Sequence, residues 1–240
     1  MRRRSHLVLA MHGTQSVAGQ KVASDLLHAV AARLPGVEVH LGWADVLTPT
    51  LTETLTRVGE AVVVPGFLTA GYHVTSDLPA AIQAAGGRAR LAGLIGPGLV
   101  EAVADRLRAA GGPCDAVVLA AAGSRRPRSV AEVAEAARKL SDLVGRPVVA
   151  GFLTAAQPSV TDAVAQLRAS GHDRIAIASY LLAPGVFSER LHTGGADLVS
   201  DPIGVHPLVV EAVASAYAAV VDERRDVPGQ APGVGRERIA

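Results

Sequence analysis

Cysteine occurs once in this chain of 240 residues, as Cys114. A disulfide framework, a thiolate zinc site and a cysteine-bound iron–sulfur cluster are therefore excluded within one chain. Aromatic residues make up only 3%, which suits helices lying close on a sheet of Ala, Val, Leu and Gly. No run reaches the ~18 apolar residues that a membrane-spanning helix needs. Met1-Arg2-Arg3-Arg4 resembles the opening of a signal peptide, but the apolar stretch behind it is short and broken by His12. A formal net charge of +1 gives no global attraction to nucleic acid or to a membrane surface, so a charged ligand must be met locally. The chain reads as cytoplasmic and soluble.

What is present is one pattern written twice. Leu7-Val8-Leu9-Ala10-Met11-His12-Gly13-Thr14 returns about 110 residues later as Val117-Val118-Leu119-Ala120-Ala121-Ala122-Gly123-Ser124. The stretch from Gly42 to Glu53 returns as Gly151 to Asp162, and the stretch from Val63 to His73 as Ala176 to Val186. Where the first copy has His12, Asp45 and His73, the second has Ala122, Thr154 and Val186. A hydrophobic fraction of 49% is ample for two cores. The pattern divides the chain into residues 1–112, which carry the functional groups, and a degenerate half, 113–225, joined at Gly111-Gly112-Pro113. Residues 226–240 have too little apolar content to pack and read as a disordered tail.

Each copy alternates short apolar runs with amphipathic stretches, the pattern of βα units on a parallel sheet. The expected class is α/β: two similar domains, each a four-stranded parallel sheet flanked by helices. In the first copy strands are expected at residues 7–11, 37–41, 61–64 and 88–92. Val22, Leu26, Val30 and Leu34 form the apolar stripe of the first helix. Thr48 and Pro49 read as the N-cap and first residue of the second helix, and Ser76-Asp77 as the cap of the third. The last helix is expected over 99–109. The second copy repeats this with strands at 116–120, 147–150, 174–178 and 196–199 and a final helix over 209–221.

In an open parallel sheet the loops after the strands emerge at the carboxyl edge, where ligands bind. His12, Asp45 and His73 each follow a strand, so distant groups are brought to one rim. Their joint loss from the duplicate marks them as functional rather than structural. Two imidazoles and a carboxylate suit a divalent first-row metal, and imidazole also accepts protons near neutral pH. Gly13 lets a backbone N–H approach a ligand, and Thr14 can cap the helix that follows. The spacing matches no closed zinc motif, so metal would be held weakly, with water completing the site. His6, His28, His40, His172, His192 and His206 read as structural or surface residues.

His12-Gly13-Thr14, the Pro49 helix start after an acidic loop, and the run from Phe67 to Pro79 resemble the class II chelatases, the sirohydrochlorin chelatase family, in its long two-domain form. The likeness covers the chain to about Val221; its most specific part is the loop ending in His73. In that family two histidines take protons from pyrrole nitrogens and guide the metal, and a nearby carboxylate assists. The resemblance carries these roles to His12 and His73, and to Asp45, where glutamate is common. It implies substrate contacts at Gly13, Thr14, Thr69, Ala70, Gly71 and Tyr72. Some two-domain members carry their histidines in the second half; Ala122 and Val186 exclude that here. A carboxylate-rich tetrapyrrole needs cations, and Arg125, Arg126 and Arg128 follow the first strand of the second copy, on the equivalent rim.

The resemblance implies a lyase that inserts Fe2+ into sirohydrochlorin for siroheme, or Co2+ for cobalamin. No organic cofactor is implied, the metal being a substrate, and two fused halves favour a monomer. A non-catalytic tetrapyrrole or metal carrier is the reading from another class. A nucleotide-binding protein finds no support, there being no GxGxxG after the first strand and no Walker lysine.

Overall fold

In the computed structural model, which describes residues 5–226, the apolar runs become strands of two all-parallel sheets. β1 (Ser5–Met11), β2 (Val37–Trp43), β3 (Val62–Pro65) and β4 (Arg90–Leu91) form the first, in the order β2-β1-β3-β4. β5 (Ala116–Ala121), β6 (Val148–Phe152), β7 (Ile175–Tyr180) and β8 (Leu198–Val199) form the second, in the order β6-β5-β7-β8. The helices between and after them are α1 (Val17–Arg33), α2 (Leu51–Val58), α3 (Leu78–Ala84), α4 (Val100–Ala110), α5 (Pro127–Val144), α6 (Val160–Ala169), α7 (Val186–Leu191) and α8 (Pro207–Asp226). The expected α/β class and duplicated sheets are present. None of these helices is long and apolar enough to cross a membrane.

Strand alternation divides the apolar residues between two layers. On β1, Leu7, Leu9 and Met11 join a core with Ala23, Leu26 and Val30 of α1, while Val8 and Ala10 face Leu51, Leu55, Leu78 and Ile82. With both faces covered, a parallel strand reads as an unbroken apolar run.

The closing helices are exchanged between the halves. α4 lies against α5, β7 and β8 of the second sheet, and α8 against α1 and β3 of the first. One core therefore runs from Leu9 and Val64 through Val103, Leu107, Val213 and Tyr217 to Leu119 and Ala178. Polar ties follow the exchange. Arg33 pairs with Glu211 at 2.8 Å, Arg90 donates to the Val220 carbonyl at 2.9 Å, and Arg106 to the Ile203 carbonyl at 2.8 Å.

Several sequence expectations are corrected. The second helix is capped by Thr50, not Thr48: Thr50 and Glu53 form a reciprocal capping box, which leaves Pro49 outside the helix. Thr14 does not cap α1 either; Ser16 accepts from the Gly19 N–H, and Thr14 accepts from the Ser16 N–H. Asp77 caps nothing, because His73–Asp77 is a π-helical turn that runs straight into α3. β4 and β8 shrink to two residues each. α8 reaches Asp226, and the expected tail beyond it lies outside the described residues, as does Met1-Arg2-Arg3-Arg4.

Candidate active site

β1 and β2 deliver His12 and Asp45 side by side. The Asp45 N–H donates to the His12 carbonyl at 3.0 Å, and Gly13, at φ +101°, lets the two loops close. A Cβ on Gly13 would run into the Asp45 carbonyl. The second copy repeats the joint: Thr154 N–H donates to the Ala122 carbonyl at 2.9 Å, and Gly123 has φ +95°. The scaffold is thus duplicated in detail, whereas the imidazole and the carboxylate are not.

His73 opens the π-helical turn, as Val186 opens α7 in the second copy. Its ring lies 4.5 Å from that of His12, centroid to centroid, at an interplanar angle of 89°. The two histidines of separate motifs therefore form one perpendicular pair. His12 is exposed and His73 half-buried, so the pair opens to solvent rather than lying under neighbouring side chains. Phe67 lies over His73 at 6.1 Å and Tyr72 stands edge-on at 6.4 Å.

Each ring has its Nδ1 engaged. His12 Nδ1 is 3.1 Å from the Gly13 carbonyl oxygen, and His73 Nδ1 is 2.7 Å from Asp77 Oδ2. Neither partner can donate, so Nδ1 carries the hydrogen in both neutral rings and Nε2 keeps its lone pair. Asp77 thus serves His73 rather than a helix end, a role the sequence pattern does not single out. The available signal is the His73…Asp77 spacing of four, which the continuous helical turn converts into a contact.

Asp45 is not drawn in with the histidines. Its Oδ1 accepts from the Val46 N–H at 2.7 Å, and the ligand atoms of His12, His73 and Asp45 do not gather within 4.8 Å of one another. Val46, beside it, is a β-branched residue at φ +67° and is 49% exposed. Ala155, the equivalent residue of the second copy, has φ +58°, so this left-handed backbone belongs to the duplicated scaffold rather than to the functional groups.

The two carboxyl edges meet around this pair. Thr69 Oγ1 accepts from Ser129 Oγ at 2.9 Å, and the buried Ala70 donates its N–H to Glu132 at 2.8 Å. Arg126 crosses from the second half, donating to Ser76 Oγ at 3.1 Å and lying 5.8 Å from the Tyr72 ring. The exposed Arg128 is instead paired with Glu132 at 3.1 Å, which occupies it. Arg125 is exposed and has no ion pair among the described residues. Gly71 is half-buried, and Tyr72, next in the chain, is 62% exposed. Thr14 lies against Gly185 of the facing half. Val17, Val46, Tyr72, Val186 and Phe187, all exposed, edge the same loops with apolar surface.

Comparison with known proteins agrees with this architecture. A family model described as CbiX matches residues 6–110 and again residues 116–220. A sirohydrochlorin cobaltochelatase of Methanococcoides burtonii is 30% identical over 73 residues, 28% of this chain and 56% of that relative; the match thus spans about half of the relative's length. The structure of SirB from Bacillus subtilis with Fe3+ superposes with a TM-score of 0.79 at 23% identity, covering 93% of this chain and 98% of that one. The sirohydrochlorin chelatase SirB from Bacillus subtilis subspecies spizizenii, in complex with cobalt, superposes with a TM-score of 0.76 at 21% identity over the same shares. At these identities the superpositions speak for the fold.

Proposed function

The chain belongs to the CbiX family, and from that premise we propose that it is a sirohydrochlorin chelatase acting through its first half, on Fe2+ for siroheme. Metal insertion replaces two pyrrole N–H protons of the macrocycle by one M2+, so two protons must leave. The observation that carries the reading is the His12–His73 pair, with both Nδ1 atoms already hydrogen-bonded. Each Nε2 can then take one proton, or hold the metal briefly as it sheds water. Asp77 holds His73 in the accepting tautomer and stabilises the imidazolium it becomes. Asp45 assists by attracting the cation at the mouth of the site.

The substrate's flat ring fits the apolar edge of Val46, Tyr72, Val186 and Phe187, with loop 69–72 lying along it. Arg125 and Arg126 bind its carboxylates, whereas Arg128, held by Glu132, contributes little. One chain supplies both facing rims, which suits a cytoplasmic monomer. Cobalt is the second reading, favoured by the name of the curated relative, and imidazole–carboxylate sites discriminate poorly between these metals.

The test is anaerobic incubation of the protein with excess sirohydrochlorin and Fe2+ or Co2+, following the absorption spectrum. Many turnovers per protein are expected. A single stoichiometric shift without turnover would identify a carrier instead. In the same assay Arg125→Ala should raise KM more than it lowers kcat, and an unchanged KM would remove the clamp.

A further inference from the structure

The first sheet carries a second pair of histidines, at the other end of β1. His6 stands opposite Glu38 in the β1–β2 register, and His40 follows two residues later opposite Val8. Residues two apart on a strand share a face, so Glu38 and His40 project with His6 on the side of the sheet that carries Val8 and Ala10. All three are half-buried, and one ligand atom from each lies within 4.8 Å of the other two. His6 Nδ1 is 3.3 Å from His40 Nε2 and 3.5 Å from Glu38 Oε2.

Those separations have a chemical meaning. Metal–nitrogen bonds of about 2.0–2.1 Å in a tetrahedron set neighbouring ligand atoms about 3.3–3.4 Å apart. A hydrogen bond between two imidazoles explains the first distance alone. The carboxylate oxygen at 3.5 Å is within ion-pair range of a protonated His6, longer than a good hydrogen bond, and close to a tetrahedral edge. Side-chain exposures of 24% for His6 and 37% for Glu38 leave room for solvent to complete a coordination sphere. Six residues of strand separate His6 from His12, roughly 20 Å, so the cluster is no part of the rim described above.

We propose that His6, Glu38 and His40 form a site for a late first-row divalent cation, such as Zn2+, Co2+ or Ni2+, which clips β1 to β2. The proposal stands whether or not the chain is a chelatase. Imidazole with carboxylate suits this part of the series, while a site of hard oxygen ligands would be needed for Mg2+ or Ca2+. A bound cation would stabilise the folded protein in proportion to its occupancy.

The experiment uses untagged full-length protein carrying His12→Ala and His73→Ala, so that the rim site cannot contribute. Co2+ is titrated while its visible absorption bands are recorded, with Zn2+ added afterwards as competitor. One equivalent of Co2+ is expected, with the intense bands of low coordination number, displaced by Zn2+. Adding His40→Ala should weaken binding by more than 100-fold, since loss of a mere outer-shell partner already costs about 10–100-fold. The near-isosteric Glu38→Gln should weaken it while leaving the circular dichroism unchanged. His172→Ala, a surface control, should have no effect. Absence of saturable binding, or binding untouched by both His40→Ala and Glu38→Gln, would overturn the site.

Discussion

Asp77 fixes which nitrogen of His73 is free, so the proton chemistry proposed for the pair depends on this carboxylate. Asp77→Asn should lower turnover about 10–100-fold, the usual cost of losing such a partner, with little change in thermal stability. Initial rates at saturating metal measure this, and a wild-type rate would leave Asp77 without a role. His12 and His73 are legible in the sequence because their counterparts are Ala122 and Val186 on an otherwise repeated scaffold. Asp77 is not, because a Ser-Asp pair ahead of an apolar stretch carries the same signature whether it caps a helix or lies inside one. His6 and His40 are equally hidden. The alternation Glu38-Val39-His40 gives a shared face, but only the β1–β2 register sets His6 opposite Glu38.

Among the elements, the strands of the second sheet are tied at their entry by two carboxylates. Asp115 accepts from the Arg174 N–H and Asp197 from the Ile175 N–H, and these backbone donors hold both carboxyl groups below the usual aspartate range. Their folded pKa values lie below the unfolded ones. The stability they contribute is therefore complete above the ordinary aspartate pKa and is lost as pH falls through the depressed folded values. Asp197→Asn should lower Tm at pH 7 but flatten its fall below about pH 4. A pH profile parallel to that of the wild type would show that the carboxylate does not contribute. The central strands are legible as unbroken apolar runs; the edge strands β4 and β8 are two residues each, with single backbone bonds beyond them from Ala92 to Val63 and from Ser200 to Ile177.

At the scale of the molecule, the exchange of α4 and α8 joins one face of each sheet in a single shared core. The sequence pattern shows that each closing helix has an apolar face but not which sheet it meets, so this feature cannot be read from residues. The single Trp43 lies in the first half and Leu107, on α4, is buried in the shared core with the second sheet. Leu107→Ala should cost about 2–5 kcal/mol and move the Trp43 fluorescence transition and the far-UV circular dichroism together. A Trp43 transition left in place while the circular dichroism becomes biphasic would mean independent halves. The same exchange holds the two carboxyl edges face to face, which is what sets Arg126 beside Ser76 and Tyr72.

The most direct measurement is the initial rate of metal insertion into sirohydrochlorin by His12→Ala and His73→Ala proteins. Removing either proton acceptor should cost at least about 100-fold in kcat, with folding stability within about 1 kcal/mol of wild type, since both side chains sit on the rim. A rate within a few-fold of wild type in either variant would contradict the assignment of the chemistry to this pair.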